Sequence, residues 1–220
     1  MESQVRGGTR WKRFAVVMVP SVAATAAIGV ALAQGALAAS FSVSGQSFKV
    51  TAKELNGNGF SQYGAIDAGT TLSGGSTAHP VAVSAFSSAH IQKMCQSVVT
   101  PNIPVLGSVT LKLTAGDSSK EEKQVYAENL YIDVEDLGAD ATFTGMEIGV
   151  AAGDLAKNGT SPAMKGGNEQ ANPNGFAQRA TAAKLTDVKQ TAWATTAGTF
   201  RLPGLHMGLS VGSGPDHECY

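Results

Sequence analysis

Three stretches of the chain repeat one small pattern, and this repeat constrains the fold more than any other feature. A small residue is followed two positions later by an apolar residue, and three positions further on by a second one. The copies lie at 89–97, 141–146 and 183–191, and a weaker copy lies at 50–55. This spacing suits a strand that lays one face on a core and then bends. The repeat therefore predicts related β units packed side by side.

Apolar and polar residues alternate strictly in several other segments. Val109, Leu111 and Leu113 alternate with polar neighbours, and the same holds across 130–135. A period of two predicts half-buried strands. We therefore expect an all-β fold of mainly antiparallel strands, arranged as a sandwich or an open groove and preceded by an N-terminal hydrophobic helix. Residues 154–175, rich in Gly, Asn and Pro, predict a long irregular surface loop.

The first 38 residues have the pattern of a targeting segment. Basic residues at positions 6, 10, 12 and 13 precede an uncharged apolar run at 14–33, and small residues at 36 and 38 suit a signal peptidase. A signal peptide for the general secretory route is one interpretation. The other is a retained membrane anchor, because an apolar run of 20 residues forms a helix about 30 Å long. Residues 39–220 are then a single extracellular or cell-envelope domain.

The charge balance of residues 39–220 restricts the partners. This part keeps 12 basic and 16 acidic side chains. It offers no basic surface for phosphate backbones, which argues against a nucleic-acid partner. It also has no cluster of lysines for anionic headgroups, so any lipid contact of the domain must be apolar. Membrane contact through residues 14–33 remains open if that segment is not cleaved.

The two cysteines, Cys95 and Cys219, predict one disulfide in an oxidising compartment. No set of Cys and His residues at metal-ligand spacing accompanies them. The sequence therefore predicts neither a metal nor a cofactor.

Four segments resemble an uncharacterised family of exported actinobacterial proteins that is common in Streptomyces. The segments are Arg10–Pro20, Phe60–Gly64, Cys95–Val98 and Gln190–Phe200, and the similarity runs along essentially the whole chain. Family members often carry the label cholesterol esterase. The resemblance thus implies a hydrolase of lipid esters, but it brings no established catalytic residues.

The esterase interpretation has a candidate nucleophile in Ser210, which lies in a G-x-S-x-G motif at 208–212. This motif needs a following helix, then an acid and a histidine from later loops. No helical pattern follows here, and His217 comes only seven positions later. A strand explains the motif better. It would carry four apolar residues on one face: Leu205, Met207, Leu209 and Val211.

Ser118 is the other candidate nucleophile, in a Gly-Asp-Ser block at 116–118. A turn closing a hairpin between strands at 109–114 and 130–134 explains this block better. Acidic residues Asp133, Glu135 and Asp136 lie on and after the second of these strands. The loop spacing of a calcium site is absent, so a solvated strand face is expected.

Three classes of function fit these observations. The first is a non-enzymatic carrier of a lipid, a sterol or another apolar ligand. Its groove would be lined by large apolar residues, although the same residues would also make an ordinary core: Phe86, Phe143, Met146, Trp193 and Phe200. The second is a structural or assembly component of the cell envelope, with an unspecified protein partner. The third is a lipid-ester hydrolase.

Overall fold

The computed structural model of the protein describes residues 44–166 and 170–220. The predicted signal peptide or anchor, with its hydrophobic helix, lies outside these residues. The described chain forms nine strands and two short 3-10 helices, Glu121–Lys123 and Ala152–Asn158. The strands are β1 Phe48–Thr70, β2 Ser76–Gln92, β3 Met94–Ile103, β4 Gly107–Ala115, β5 Val125–Thr144, β6 Glu147–Ala151, β7 Phe176–Thr196, β8 Thr199–Arg201 and β9 His206–Val211. All pairings are antiparallel, which confirms the predicted all-β class.

Four long strands pair in a closed ring. β1 pairs with β2, β2 with the first half of β5, the second half of β5 with β7, and β7 with β1. Phe60 on β1, for example, lies opposite Phe86 on β2 and Ala180 on β7. The ring closes because β5 changes partner midway, where register shifts between 133 and 140 mark a bend.

The sequence repeats lie side by side in this ring. Leu55 is opposite both Ile91 and Leu185, so three copies meet at one level of the sheet. The fifth residue of each strong copy has a positive φ: Lys93 at 53°, Gly145 at 62° and Asp187 at 53°. Asp187 lies inside β7, whereas Lys93 separates β2 from β3 and Gly145 lies between β5 and β6. A left-handed residue at such a position bends the chain. The repeat therefore encodes the position of the bend as well as the residues that face the core.

The main core is enclosed by the four ring strands. Each strand contributes buried apolar side chains, among them Leu55, Phe86, Leu130 and Leu185. A second, smaller core lies on the outer side of β1 and β2. There the fully buried Leu155 of the second 3-10 helix packs against Tyr63 and Val83. The segment 154–175, predicted as a surface loop, thus includes a helical turn with a buried side chain.

Strands β3, β4 and β9 form a three-stranded extension that we call the wing. β3 joins the wing to β1, β4 pairs with β3, and β9 is the last strand in the order β1-β3-β4-β9. The predicted hairpin between the strands at 109–114 and 130–134 is wrong, because β4 pairs with β3 and β9 while β5 pairs with β2 and β7. Pairing with β9 leaves no edge of β4 for β5.

Candidate functional site

One face of the wing is apolar along β4 and β9, and β3 adds Val98 together with the polar residues Gln96 and Thr100. On β9, alternate residues pair directly with apolar residues of β4: Met207 with Leu113, Leu209 with Leu111, and Val211 with Val109. Side chains of directly paired residues share a face. Val98 of β3, opposite Leu111, extends the same surface. We call this set, together with Leu205 beside it, the apolar face.

The β9 side of the apolar face is uncovered within the described part of the chain, whereas Leu113 on β4 packs on the main core. Met207 is 61% exposed, Leu209 74% and Val211 57%, while their partners on β4 are half-buried. A contiguous exposed aliphatic surface of this kind marks an interaction site, because isolated proteins seldom leave one in water. The alternation at 205–211 predicted the strand and its two faces, but it could not show that the apolar residues of β9 are left exposed by the described chain.

The tip of the β3–β4 hairpin exposes two further apolar residues. Val105 is fully exposed and Leu106 is 51% exposed. Val105 also has a φ of 72°, a backbone conformation that is unfavourable for a β-branched residue. A strained, exposed apolar residue at a loop tip points to a functional constraint, since neither stability nor solubility favours it.

The opposite face of the wing is polar and is covered by the C-terminal residues 212–220. The predicted disulfide between Cys95 and Cys219 is present. Lys112 Nζ donates to the carbonyl of Glu218 over 2.9 Å, and Lys49 Nζ lies 2.8 Å from the Glu218 carboxylate. The hydrogen bond from Lys49 lowers the pKa of Glu218. These contacts attach the C-terminal residues to the polar side of the wing, and the described chain leaves the apolar residues of β9 on the other side exposed.

The aromatic and Met candidates for ligand binding lie mostly in the cores. Phe86 is buried beside Phe60, with ring centroids 5.5 Å apart, and Phe143 and Met146 pack on the same core. Trp193 packs on the second core and stacks on His79 at 3.5 Å. Phe200 is 39% exposed and lines a cavity of about 40 Å³ with Val50 and Gln96. The space at Phe200 is too small for a lipid.

The structure brings two of the candidate catalytic residues together. Ser210 Oγ lies 3.0 Å from His217 Nδ1, on the polar side of the wing. A serine nucleophile also needs a group that orients its histidine, and among the described residues no carboxylate is within bonding distance of His217. Ser118 lies elsewhere, in the connection after β4, where its hydroxyl accepts a hydrogen bond from the Lys120 amide. The two serines do not form one site.

A buried pair of carboxylates lies beneath the segment 159–166. Asp133 is fully buried and Asp67 is 4% exposed, and Lys165 Nζ contacts Asp133 Oδ2 at 2.6 Å. Burial raises the pKa of Asp67 to about 6, with a further contribution from the charge of Asp133. Asp67 Oδ2 and Asp133 Oδ1 accept no hydrogen bond from a described donor.

The expectation that Asp133 lies on a solvated strand face is wrong. Asp133 does point away from the main core, as the alternation of β5 requires. The segment carrying Lys165 crosses that side, however, and is held there by hydrogen bonds between the Lys165 amide and Tyr63 Oη and between Tyr131 Oη and the carbonyl of Ala163. The distant loop gives no local sequence signal at Asp133.

Three further observations complete the description of the site. Within 44–166 and 170–220, no helix is long and apolar enough to cross a membrane. No group of three or more His, Cys, Asp or Glu side chains in the same residues is placed to hold a metal ion. A shallow cavity of about 520 Å³ lies near the disulfide, where lysines 53, 93 and 189 face aspartates 117 and 187. Its mixed charges favour no single ligand class.

The fold and site thus define a disulfide-linked all-β protein whose ring of long strands carries a wing with an exposed aliphatic face. The chain belongs to the family of unknown function DUF6230, whose profile matches residues 44–220. No curated protein and no solved structure matches the chain.

Proposed function

We propose that this protein is an exported, non-enzymatic lipid-binding protein of the actinobacterial cell envelope or its surroundings, and that it binds acyl chains on the apolar face of the wing. The observation that carries the proposal is the exposed row of Met207, Leu209 and Val211 on β9, the last strand of the wing. The other face of the wing is tied to the C-terminal residues by the disulfide from Cys95 on β3. The disulfide is compatible with an oxidising, extracellular location.

The chemistry of the apolar face favours a lipid over a protein partner. Its side chains are those of Leu, Val and Met. The tip of the β3–β4 hairpin exposes Val105 and Leu106 as well. Protein interfaces usually depend on Trp, Tyr and Arg anchors, and the apolar face has none. An acyl chain needs neither a hydrogen bond nor a charge from its binding surface. The acidic balance of residues 39–220 further predicts binding that does not depend on anionic headgroups.

The test is binding to vesicles of neutral phosphatidylcholine. The complete chain is expressed in an exporting host, and the exported protein is mixed with the vesicles and sedimented. Burying Leu209 and Met207 is worth about 1–2 kcal/mol each, so a Met207→Gln/Leu209→Gln variant should bind at least tenfold more weakly. The matched control is Leu72→Gln, since Leu72 is 60% exposed but lies in the β1–β2 turn. Equal binding by both variants and the wild type would refute the proposal.

A lipid-ester hydrolase is a second candidate, favoured by the 3.0 Å contact between Ser210 and His217 and by the esterase label of the resembling proteins. It is tested by release of p-nitrophenol from acyl esters. Activity that disappears in Ser210→Ala but persists in Ser118→Ala would identify the Ser210–His217 pair as the catalytic group. Activity that survives both substitutions would exclude both serines as nucleophiles, and a wild type without activity would count against the hydrolase.

A further inference from the structure

The outer edge of β9 is a free strand edge. In the sheet order, β9 pairs with β4 on one side, and no described strand pairs with its other side. The amide of Gly212 donates to the carbonyl of Ser108 over 2.9 Å. Hydrogen-bonded pairs alternate along an antiparallel ladder, so Ser210 and Gly208 also direct their backbone groups to β4. Met207, Leu209 and Val211 therefore direct theirs to the free edge.

The β9 edge lacks three of the devices that normally prevent strands from pairing between molecules: charged side chains, proline within the strand, and bulges. The strand is short, with six residues, and the nearest proline, Pro203, lies before it. The register between β4 and β9 is continuous from 206 to 211, and residues 202–214 contain no Asp, Glu, Lys or Arg. At the other end of the sheet, β6 has a register shift between Ile148 and Val150 and carries Glu147. One edge is protected and the other is left open.

We propose that two copies of this chain associate through antiparallel pairing of their β9 edges about a two-fold axis at Leu209. In this register Leu209 lies opposite Leu209 of the second copy, and Met207 lies opposite Val211. All three pairs join outward-facing backbone groups, and each exchanges two N–H···O=C bonds. A two-fold axis places like residues near each other, so an edge without charged residues is self-compatible.

The dimer would unite two apolar faces into one continuous surface. Side chains of directly paired residues share a face, so the two copies of Met207, Leu209 and Val211 would lie side by side across six strands. The pairing uses backbone groups, whereas lipid binding uses side chains. The dimer therefore does not require that the proposed lipid binding be correct, and the two can be tested separately.

The first test compares two substitutions at one position. Leu209→Pro removes the outward amide without removing a bond to β4, since proline is tolerated where the amide faces away from the sheet. Leu209→Gln keeps the amide and removes the apolar side chain. An edge contact buries less than about 1,200 Å², and contacts of that size are weak. Sedimentation equilibrium of the exported protein is therefore measured up to about 1 mM. We expect wild type and Leu209→Gln to dimerise and Leu209→Pro to dimerise at least tenfold more weakly.

The second test is independent of whether Leu209→Pro folds. In the proposed register a cysteine at 209 meets its symmetry copy, whereas cysteines at 211 are separated by four residues along the strands, or about 14 Å. Mild oxidation should therefore crosslink Leu209→Cys into a covalent dimer and leave Val211→Cys largely uncrosslinked. Three outcomes would each overturn edge pairing. The two cysteine variants could crosslink equally, or the wild type could stay monomeric at every concentration. The dimer could also be lost in Leu209→Gln but kept in Leu209→Pro.

Discussion

At the residue scale, the least ordinary feature is the pair Asp67 and Asp133, which places two carboxylates near one lysine in a buried position. Lys165 Nζ lies 2.6 Å from Asp133 Oδ2, and no described cation forms an ion pair with Asp67. Burial and the charge of Asp133 raise the pKa of Asp67 to about 6 from an ordinary 3.8. The folded protein therefore holds a proton on Asp67 more tightly than the unfolded chain does.

This raised pKa predicts a pH-dependent gain of stability in Asp67→Asn. Ionised Asp67 destabilises the folded state above pH 6, and the penalty disappears as the pH falls through 6 towards 3.8. Asparagine donates a hydrogen bond to Asp133 without a charge. Allowing for screening by nearby water, we expect a gain of about 1–2 kcal/mol at pH 7.5 and almost none at pH 4.

The measurement is the free energy of unfolding in urea at several pH values. Asp136→Asn is the control, because Asp136 is an exposed carboxyl on the same strand as Asp133. A gain in Asp67→Asn that is the same at pH 4 and pH 7.5 would show that its cause is not the titration of Asp67.

At the element scale, the repeats place small residues at one level of the ring and so make room for large ones. Gly57 lies opposite Ala89 on β2 and Ala183 on β7. Beside these residues, Phe60 packs between Phe86 and Phe143, with ring centroids 5.5 and 4.9 Å away. Because these neighbouring residues on adjacent strands are small, the aromatic side chains of Phe60, Phe86 and Phe143 can fill the narrow interior of the strand ring.

Gly57→Ala should therefore destabilise the ring. A Cβ at position 57 would overlap the phenyl group of Phe86. Displacing that side chain in a packed core costs about 1–3 kcal/mol. Gly64→Ala, on the same strand, has no atom within 4 Å of the added carbon. It should be neutral or stabilising by up to about 1 kcal/mol. Thermal unfolding of both variants measures the difference, and equal melting temperatures would contradict this account of the packing.

At the scale of the whole molecule, the disulfide links the C-terminus to the start of the wing. It closes a loop with a sequence separation of 124, and around it Ser97 Oγ accepts from the Cys219 amide while Thr110 Oγ1 donates to the carbonyl of Gly212. The wing contacts the ring mainly through the short β1–β3 pairing at 49–51 and 95–97. The disulfide and the hydrogen bonds on the covered polar face therefore help to hold the wing in position.

A Cys95→Ser/Cys219→Ser variant should lose much of its stability. Freeing a loop of this length in the unfolded state is worth on the order of 4–5 kcal/mol in the chain-entropy model, and removal of native disulfides commonly costs about 2–5 kcal/mol. Urea unfolding of the variant and of the wild type, with and without reductant, measures the loss. Reductant should lower the wild-type midpoint towards that of the variant. An unchanged midpoint in both cases would show that the hydrogen bonds alone hold the C-terminal residues in place.

The sequence alone determined the local features of this protein. Alternation at 109–114 and 205–211 specified strands and their two faces. The repeats specified which residues face the core and where the chain bends. These features are local because they depend on the side-chain period and on the backbone conformation of single residues. Strand partners depended on the tertiary structure. β4 pairs with β9 and not with β5, and the segment carrying Lys165 buries Asp133. Contacts between segments distant in sequence decide burial and exposure, and for that reason only the tertiary structure shows that the apolar side of β9 is left uncovered.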